Sequence, residues 1–314
     1  MRNTAIAASG LRKAYGDKIV LDGIDLDVPA GTVFSLLGPN GAGKTTTVNV
    51  LTTLMKADGG AARVAGHDVA TETRAVRAAI GVTGQFAAVD ELLTGQENLQ
   101  LMADLKRLGS GEAKRVVTDL LERFDLAESA QKLAATYSGG MRRKLDLAMT
   151  LVGKPQIIFL DEPTTGLDPR SRRSMWDIIR QLVADGVTIF LTTQYLEEAD
   201  RLADRIAVLD QGHLVAQGTP SDLKRQVPGS HIRLQFTDVR ELDAAARVLT
   251  GSTRVDEDLT LRVPSDGGVK SLRALLDRLD EFSINPEEFS VHTPDLDDVF
   301  LALTGHPNTE EIVR

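Results

Sequence analysis

The chain has no cysteine, which excludes disulfides, thiolate metal sites and cysteine nucleophiles and fits a reducing compartment. Long apolar runs are missing too. The longest, such as "TVFSLL", "QIIFL" and "VTIFL", have strand length and fall far short of the ~18 residues a membrane span needs. The N-terminus "MRNTAIAASGLRKAYG" meets Arg12 and Lys13 before any apolar core of signal-peptide length, so any membrane association is expected to come through a partner. Basic excess is absent: the formal net charge is −9 and the pI is about 5.2. That argues against direct nucleic-acid binding through a general basic surface, although a local patch would escape the test. No solenoid-length repeat or low-complexity tract occurs, and the runs of Ala and Arg read as solvated helix faces.

What is present is the composition of a folded chain, with 42% hydrophobic and 26% charged residues over 314 positions. That length suits one large unit and one smaller one. Short β-rich runs ("KIVLDGIDLDV", "GTVFSLLG", "PQIIFLDEP", "GVTIFLTTQ", "RIAVLDQGHLVAQG") alternate with helical patterns. The alternation predicts an α/β fold with a mixed sheet whose N-terminal part is antiparallel. From about residue 86 to 154, apolar residues at three and four spacing with no strand between them predict an inserted helical subdomain. A linker punctuated by Pro220, Pro228 and Gly229 is expected to close a first domain at residues 1–220. Residues 221–314 then read as a small α+β domain with strands "HIRLQF", "LTLRVP" and "EEFSVH" and helices "DAAARVLT" and "VKSLRALLDRLDEF".

The stretch "LLGPNGAGKTTT" follows a strand and opens a helix. In that context Gly38, Pro39, Asn40, Gly41, Ala42, Gly43, Lys44, Thr45 and Thr46 form a phosphate loop, the mark of a P-loop NTPase core. Backbone N–H groups at a helix N-terminus converge on phosphate oxygens, and glycines allow close approach. Lys44 supplies positive charge to the β- and γ-phosphates, and the Thr45 hydroxyl can ligate Mg²⁺. Further on, "IIFLDEP" ends an apolar strand in two acids, which a buried strand rarely carries without a cation to meet them. Asp161 is expected in the Mg²⁺ shell, and Glu162 as the base or orienter of an attacking water.

In "TYSGGMRRKLDLAM", Ser138 can cap a helix while Gly139 and Gly140 allow close backbone approach. Taken in order, phosphate loop, Gln85, SGG and LDEP resemble the nucleotide-binding subunit of ATP-binding cassette (ABC) transporters, from Ala5 to about Gly218. The resemblance implies ATP and Mg²⁺ as ligands and two ATPase subunits with ATP sandwiched between them, as a homodimer or a mixed pair. It implies that Tyr15 stacks on adenine, that Gln85 reaches Mg²⁺ and senses the transporter partner, and that Ser138, Gly139 and Gly140 contact the γ-phosphate of the opposite subunit. Asp168 would link the two sites. Without the resemblance, Tyr15 reads as a half-buried strand residue, Gln85 as a loop residue and Asp168 as an N-cap. Two positions depart from the family pattern: Tyr137 stands where leucine is usual and Met141 where glutamine is usual, which implies weaker polar contacts by the signature helix.

Four stretches narrow the resemblance: "YSGGMRRKLDLA", "LDEPTTGLDPRSRRSMWDII", "LTTQYLEEADRLADRIAVLD" and "LDDVFLALTGH". Together they look like the ATPase subunits of daunorubicin/doxorubicin-resistance-type drug exporters. Those work with a separate transmembrane permease, so the expected place is the cytoplasmic face of the membrane, held peripherally. Leu296 to Gly305 would then support the ATPase dimer or the permease contact, or close the small domain's core. The permease is expected to dock just after Gln85, where Phe86 and Leu92 are either an apolar docking floor or core. An uptake-system ATPase with a regulatory C-terminal domain is the rival reading. A solitary cassette protein of translation or repair would carry two cassettes or a coiled coil, and neither pattern is present. Finally, the family's γ-phosphate-sensing histidine aligns with Gln194. A glutamine amide can donate to a phosphate oxygen but cannot titrate near neutral pH, so the resemblance implies a working but slow ATPase.

Overall fold

The computed structural model describes residues 4–226, 230–256, 258–266, 268–292 and 294–305. It divides into two compact units, Met1–Pro220 and Ser221–Arg314.

The first unit opens with two long strands, β1 (Thr4–Tyr15) and β2 (Lys18–Pro29), followed by β3 (Val33–Leu37), α1 (Lys44–Leu51), β4 (Gly59–Val64), β5 (His67–Asp68), α2 (Thr73–Ala79) and β6 (Ile80–Thr83). Three helices come next, α3 (Gly95–Leu105), α4 (Ser110–Arg123) and α5 (Gly139–Leu151), then β7 (Ile157–Asp161), α6 (Pro169–Ala184), β8 (Thr188–Thr193), α7 (Leu196–Leu202), β9 (Arg205–Asp210) and β10 (His213–Gly218). The expected mixed sheet is present, but the N-terminal antiparallel strands form a separate sheet. That sheet has the order β2-β1-β4-β5, and the six-stranded mixed one runs β10-β9-β3-β8-β7-β6. In the second, β3, β6, β7, β8 and β9 pair in parallel and β10 turns back on β9.

All residues of β3, β7 and β8 are buried, as expected of parallel strands covered on both faces. Alternate side chains feed two cores. Val33, Ile158, Leu160, Ile189 and Leu191 meet the helical side, including Leu145 and Trp176. Phe34, Phe159 and Phe190 meet the antiparallel sheet and α1, with Phe190 5.5 Å from Phe34 and 5.4 Å from Phe159 between ring centroids. This double burial fixes the C-terminal ends of β3, β8 and β7 side by side, where a doubly covered α/β sheet presents its ligand crevice.

The expected linker starts with a helix, α8 (Pro220–Gln226); Pro228 and Gly229 lie outside the described residues. The second unit then runs β11 (His231–Gln235), α9 (Val239–Val248), β12 (Thr253–Val255), β13 (Thr260–Pro264), α10 (Val269–Glu281), β14 (Glu288–His292) and α11 (Leu296–Thr304). Its sheet is antiparallel in the order β12-β13-β11-β14. Leu242, Ala245, Leu275 and Leu279 of the helices pack with Ile232, Leu234 and Leu261 of the strands. Strand β12 was not expected, being three residues long. The alternation in "EEFSVH" suggested a buried face, yet all five residues of β14 are exposed, because it lies at the edge of the sheet.

Candidate functional site

Between β3 and α1 the chain turns through Gly41 and Gly43 at φ 82 and 112, the region glycine adopts without strain. Crowding adds to the requirement. A Cβ on Gly38 would stand 2.2 Å from the Leu209 carbonyl oxygen, and one on Gly43 would stand 2.8 Å from the Val20 carbonyl oxygen. The loop is a backbone cradle that side chains would fill, which suits phosphate oxygens. Lys44 is buried at its helical end and donates to the Gly38 and Pro39 carbonyls at 2.8 and 3.2 Å. Its ammonium lies 3.4 Å from Glu162 Oε1. Burial lowers the Lys44 pKa, while Glu162 and Asp161 pull the other way.

The two acids leave β7 in different directions. Asp161 accepts from Thr45 Oγ1 at 3.0 Å and from the Thr192 hydroxyl, so a hydroxyl from the phosphate loop and a carboxylate meet, an oxygen set suited to Mg²⁺. Glu162 has φ 50, a left-handed conformation that is uncommon for a side-chain-bearing residue. Its N–H donates to the Thr192 carbonyl at 3.1 Å and its Oε2 accepts from Thr165 Oγ1 at 3.3 Å. A strained backbone persists where its surroundings over-determine it, and the result turns Glu162 toward Lys44.

Lys44, Thr45 and Glu162 share an open cleft of about 300 Å³ with Tyr15, Asn40, Gly41, Thr46 and Gln85, and Asp161 meets it through Thr45. Tyr15 ends β1 half exposed and donates its hydroxyl to Met55 Sδ at 3.0 Å. Gln85 is exposed and also borders a second cavity with Phe86, Gly139 and Arg143. Gln194 directly follows Thr193 of β8, whose carbonyl accepts from Gly38 N at 3.3 Å, so its backbone sits beside the phosphate loop.

Ser138, Gly139, Gly140 and Asp168 do not line the cleft of Lys44. Ser138 caps α5, accepting from Met141 N at 3.2 Å, and a Cβ on Gly140 would meet Ser171 Oγ at 2.6 Å. Asp168 caps α6, accepting from the N–H groups of Arg170 and Ser171 at 3.0 Å each. The two family departures both face inward. Tyr137 is buried, donates to the Ser129 carbonyl at 2.7 Å and leaves room only for glycine at position 95, while Met141 packs on the helical core.

One residue corrects the reading of Arg runs as solvated faces. Arg143, between Arg142 and Lys144, is buried and donates to the carbonyls of Pro163, Gly84, Asp161 and Glu162 at 2.9, 2.6, 3.1 and 3.3 Å. It ties the helix that follows Ser138 to both the carboxylate strand and the residue before Gln85. Its partner Asp146 is 3.5 Å away and accepts from Ala88 N at 3.0 Å, with burial raising its pKa. Helical spacing of Arg143 and Asp146 with the apolar Leu147 and Ala148 was the available signal.

A family model described as ABC transporter matches residues 21–165. Daunorubicin resistance ATP-binding protein DrrA3 of Streptomyces coeruleorubidus is 50% identical over 97% of both chains. The chain belongs to the ABC transporter ATPases. Within them it is of the daunorubicin/doxorubicin-resistance type: the daunorubicin/doxorubicin resistance ATP-binding protein DrrA of Streptomyces peucetius is 49% identical over 98% of this chain and 96% of the other. An ATP-binding subunit of an ABC transporter superposes with a TM-score of 0.64 at 30% identity, covering 71% of this chain and 93% of the other. An ATP-binding cassette solved as a dimer in a post-hydrolysis state, bound to ADP and Pi, superposes at 0.62 with 25% identity, covering 68% and 98%. The cassette is thus an ATP-binding, ATP-hydrolysing subunit with the P-loop NTPase fold. Among its described residues no helix is long and apolar enough to cross a membrane.

Proposed function

We propose that this ABC ATPase, held peripherally at the cytoplasmic face of the membrane, powers a separate permease that exports drugs or other hydrophobic compounds. The observation that carries the reading is near-complete alignment, at 49–50% identity, with ATP-binding proteins named for daunorubicin and doxorubicin resistance. A more distant relative, linearmycin resistance ATP-binding protein LnrL of Bacillus subtilis, is 35% identical over 96% of this chain, which favours export over uptake.

In this reading Gly38 to Thr46 cradle the phosphates, Lys44 neutralises their charge and Tyr15 stacks on adenine. Glu162 is aimed and buried beside Lys44, where a carboxylate can order a water and accept its proton. Thr45, Asp161 and Gln85 would hold Mg²⁺, which supplies charge neutralisation on the phosphate oxygens. Gln194 offers an amide donor to the γ-phosphate. Ser138, Gly139, Gly140 and Asp168, lying outside the cleft of Lys44, serve the site of a second subunit, either another copy of this chain or a paired cassette. ATP then joins two subunits, and loss of the γ-phosphate releases them.

Phe86 and Leu92 are 86% and 84% exposed, which favours the docking floor over the core. The test is co-purification with a candidate multi-span permease, followed by ATPase stimulation across a compound panel. Stimulation by hydrophobic drugs is expected; stimulation only by a substrate-binding protein would replace export with uptake.

A further inference from the structure

Four residues beyond Gln194, on α7, lies a carboxyl group that none of these roles uses. Glu198 is 1% exposed. Its Oε1 accepts from Thr164 Oγ1 at 2.8 Å and from Trp176 Nε1 at 3.1 Å, and the Thr193 side chain also hydrogen-bonds to it. Burial raises its pKa against the pull of these donors. An isolated buried carboxyl is costly, so a leucine or methionine would serve a plain core position better.

Each partner leads to a different part of the site. Thr193 precedes Gln194, and its carbonyl holds the first glycine of the phosphate loop. Thr164 lies two residues past Glu162, in the turn whose Thr165 hydroxyl donates to Glu162. Trp176 stands on α6, the helix that Asp168 caps. We propose that Glu198 is a positioning residue that holds the end of β8, and with it Gln194 and the phosphate loop, in register with the turn that carries Glu162. The proposal rests on the roles given above to Glu162 and Gln194.

Trp176 is the only tryptophan in the chain, so its fluorescence reports on the Glu198 carboxyl. Steady-state ATPase, tryptophan emission with ATP and with ADP, and thermal midpoint are to be measured on the full chain, as wild type, Glu198→Ala, Glu198→Gln and Thr164→Val. Glu198→Ala is expected to lower kcat about tenfold or more with KM for ATP within about threefold, and to erase the difference in emission between ATP and ADP. Glu198→Gln keeps an acceptor oxygen and is expected to recover kcat to within about threefold of wild type. A core-only Glu198 would lower the thermal midpoint and leave kcat per folded molecule unchanged, and that result overturns the proposal. Should Glu198→Ala fail to fold, an unchanged kcat in Thr164→Val overturns it equally. If the wild type binds ATP without hydrolysing it, the roles of Glu162 and Gln194 fail. An emission response lost on substituting Glu198 would then still support its coupling to the loop, and no response in any form would refute it.

Discussion

At the ends of β3, β7 and β8, Lys44, Asp161 and Glu162 are each held by other groups, whereas beyond Gln85 the cassette turns Phe86 and Leu92 into solvent. Lys44 meets two carbonyls and Glu162; Asp161 meets two hydroxyls; the Glu162 backbone is locked at a positive φ. Phe86 and Leu92 are exposed a few residues beyond Gln85. The difference teaches which tasks need which construction. Stabilising developing charge requires groups already in place, because reorganisation during the reaction costs rate. Capturing a partner requires an apolar surface left uncovered until the partner arrives. Arg143 connects the two regions, since one guanidinium donates both to Gly84 and to the backbone of Asp161 and Glu162.

The largest effect should come from the over-determined side. Glu162→Gln removes the proposed proton acceptor while keeping size and hydrogen-bonding shape, so kcat should fall on the order of 10³-fold with ATP binding retained. An ATP-bound dimer should accumulate, visible by size-exclusion chromatography with ATP. Normal hydrolysis by this variant would show that the base lies elsewhere. Next, Lys44→Ala should weaken ATP binding about 100-fold by calorimetry, losing a charge-assisted contact in a partly dry site. Unaltered affinity would mean that the loop backbone alone holds the phosphates.

On the exposed side the outcomes should separate. Phe86→Asp combined with Leu92→Asp should leave ATPase activity of the isolated chain within about twofold, because neither side chain packs against the loop or the acids. Capture of the permease should fall about thirtyfold or more, as expected when central apolar anchors are lost. If hydrolysis fell in parallel, the two regions would not be separable in the way their construction suggests.

How much of this was legible before the structure depends on whether a residue acts where its sequence motif stands. Gly38 to Thr46 and Asp161-Glu162 were legible because loop, strand and helix lie in one continuous stretch and the physics of phosphate binding acts within it. The alternation of strands and helices was legible for the same reason, the burial period being local. Arg143 and Glu198 were not, since the carbonyls that Arg143 meets lie 18 to 59 residues away in sequence and the Thr164 and Trp176 donors to Glu198 lie 34 and 22 away, and a charged residue on a helix reads as solvated until the fold brings such groups to it. The division into two sheets was also hidden, because strand order follows from packing rather than from any one strand. Phe86 and Leu92 were undecided for the converse reason: apolar character alone does not tell core from docking surface.

The smallest expected effect tests the boundary between fixed chemistry and tolerated variation. Gln194 follows Thr193, whose side chain and carbonyl are both held, so a substitution at 194 should change the proposed γ-phosphate donor while the strand end stays in place. An imidazole and an amide can each donate one hydrogen bond to a phosphate oxygen, and they differ in the ability to titrate near neutral pH. If positioning is the task, Gln194→His should hydrolyse ATP within about tenfold of the starting rate, and Gln194→Ala, which has no donor, should be slower than either. If proton transfer is the task, Gln194→His should gain on the order of 10²-fold. Equal rates for all three would make the side chain a bystander, and the contrast between held strand ends and an exposed apolar stretch would then stop at Thr193.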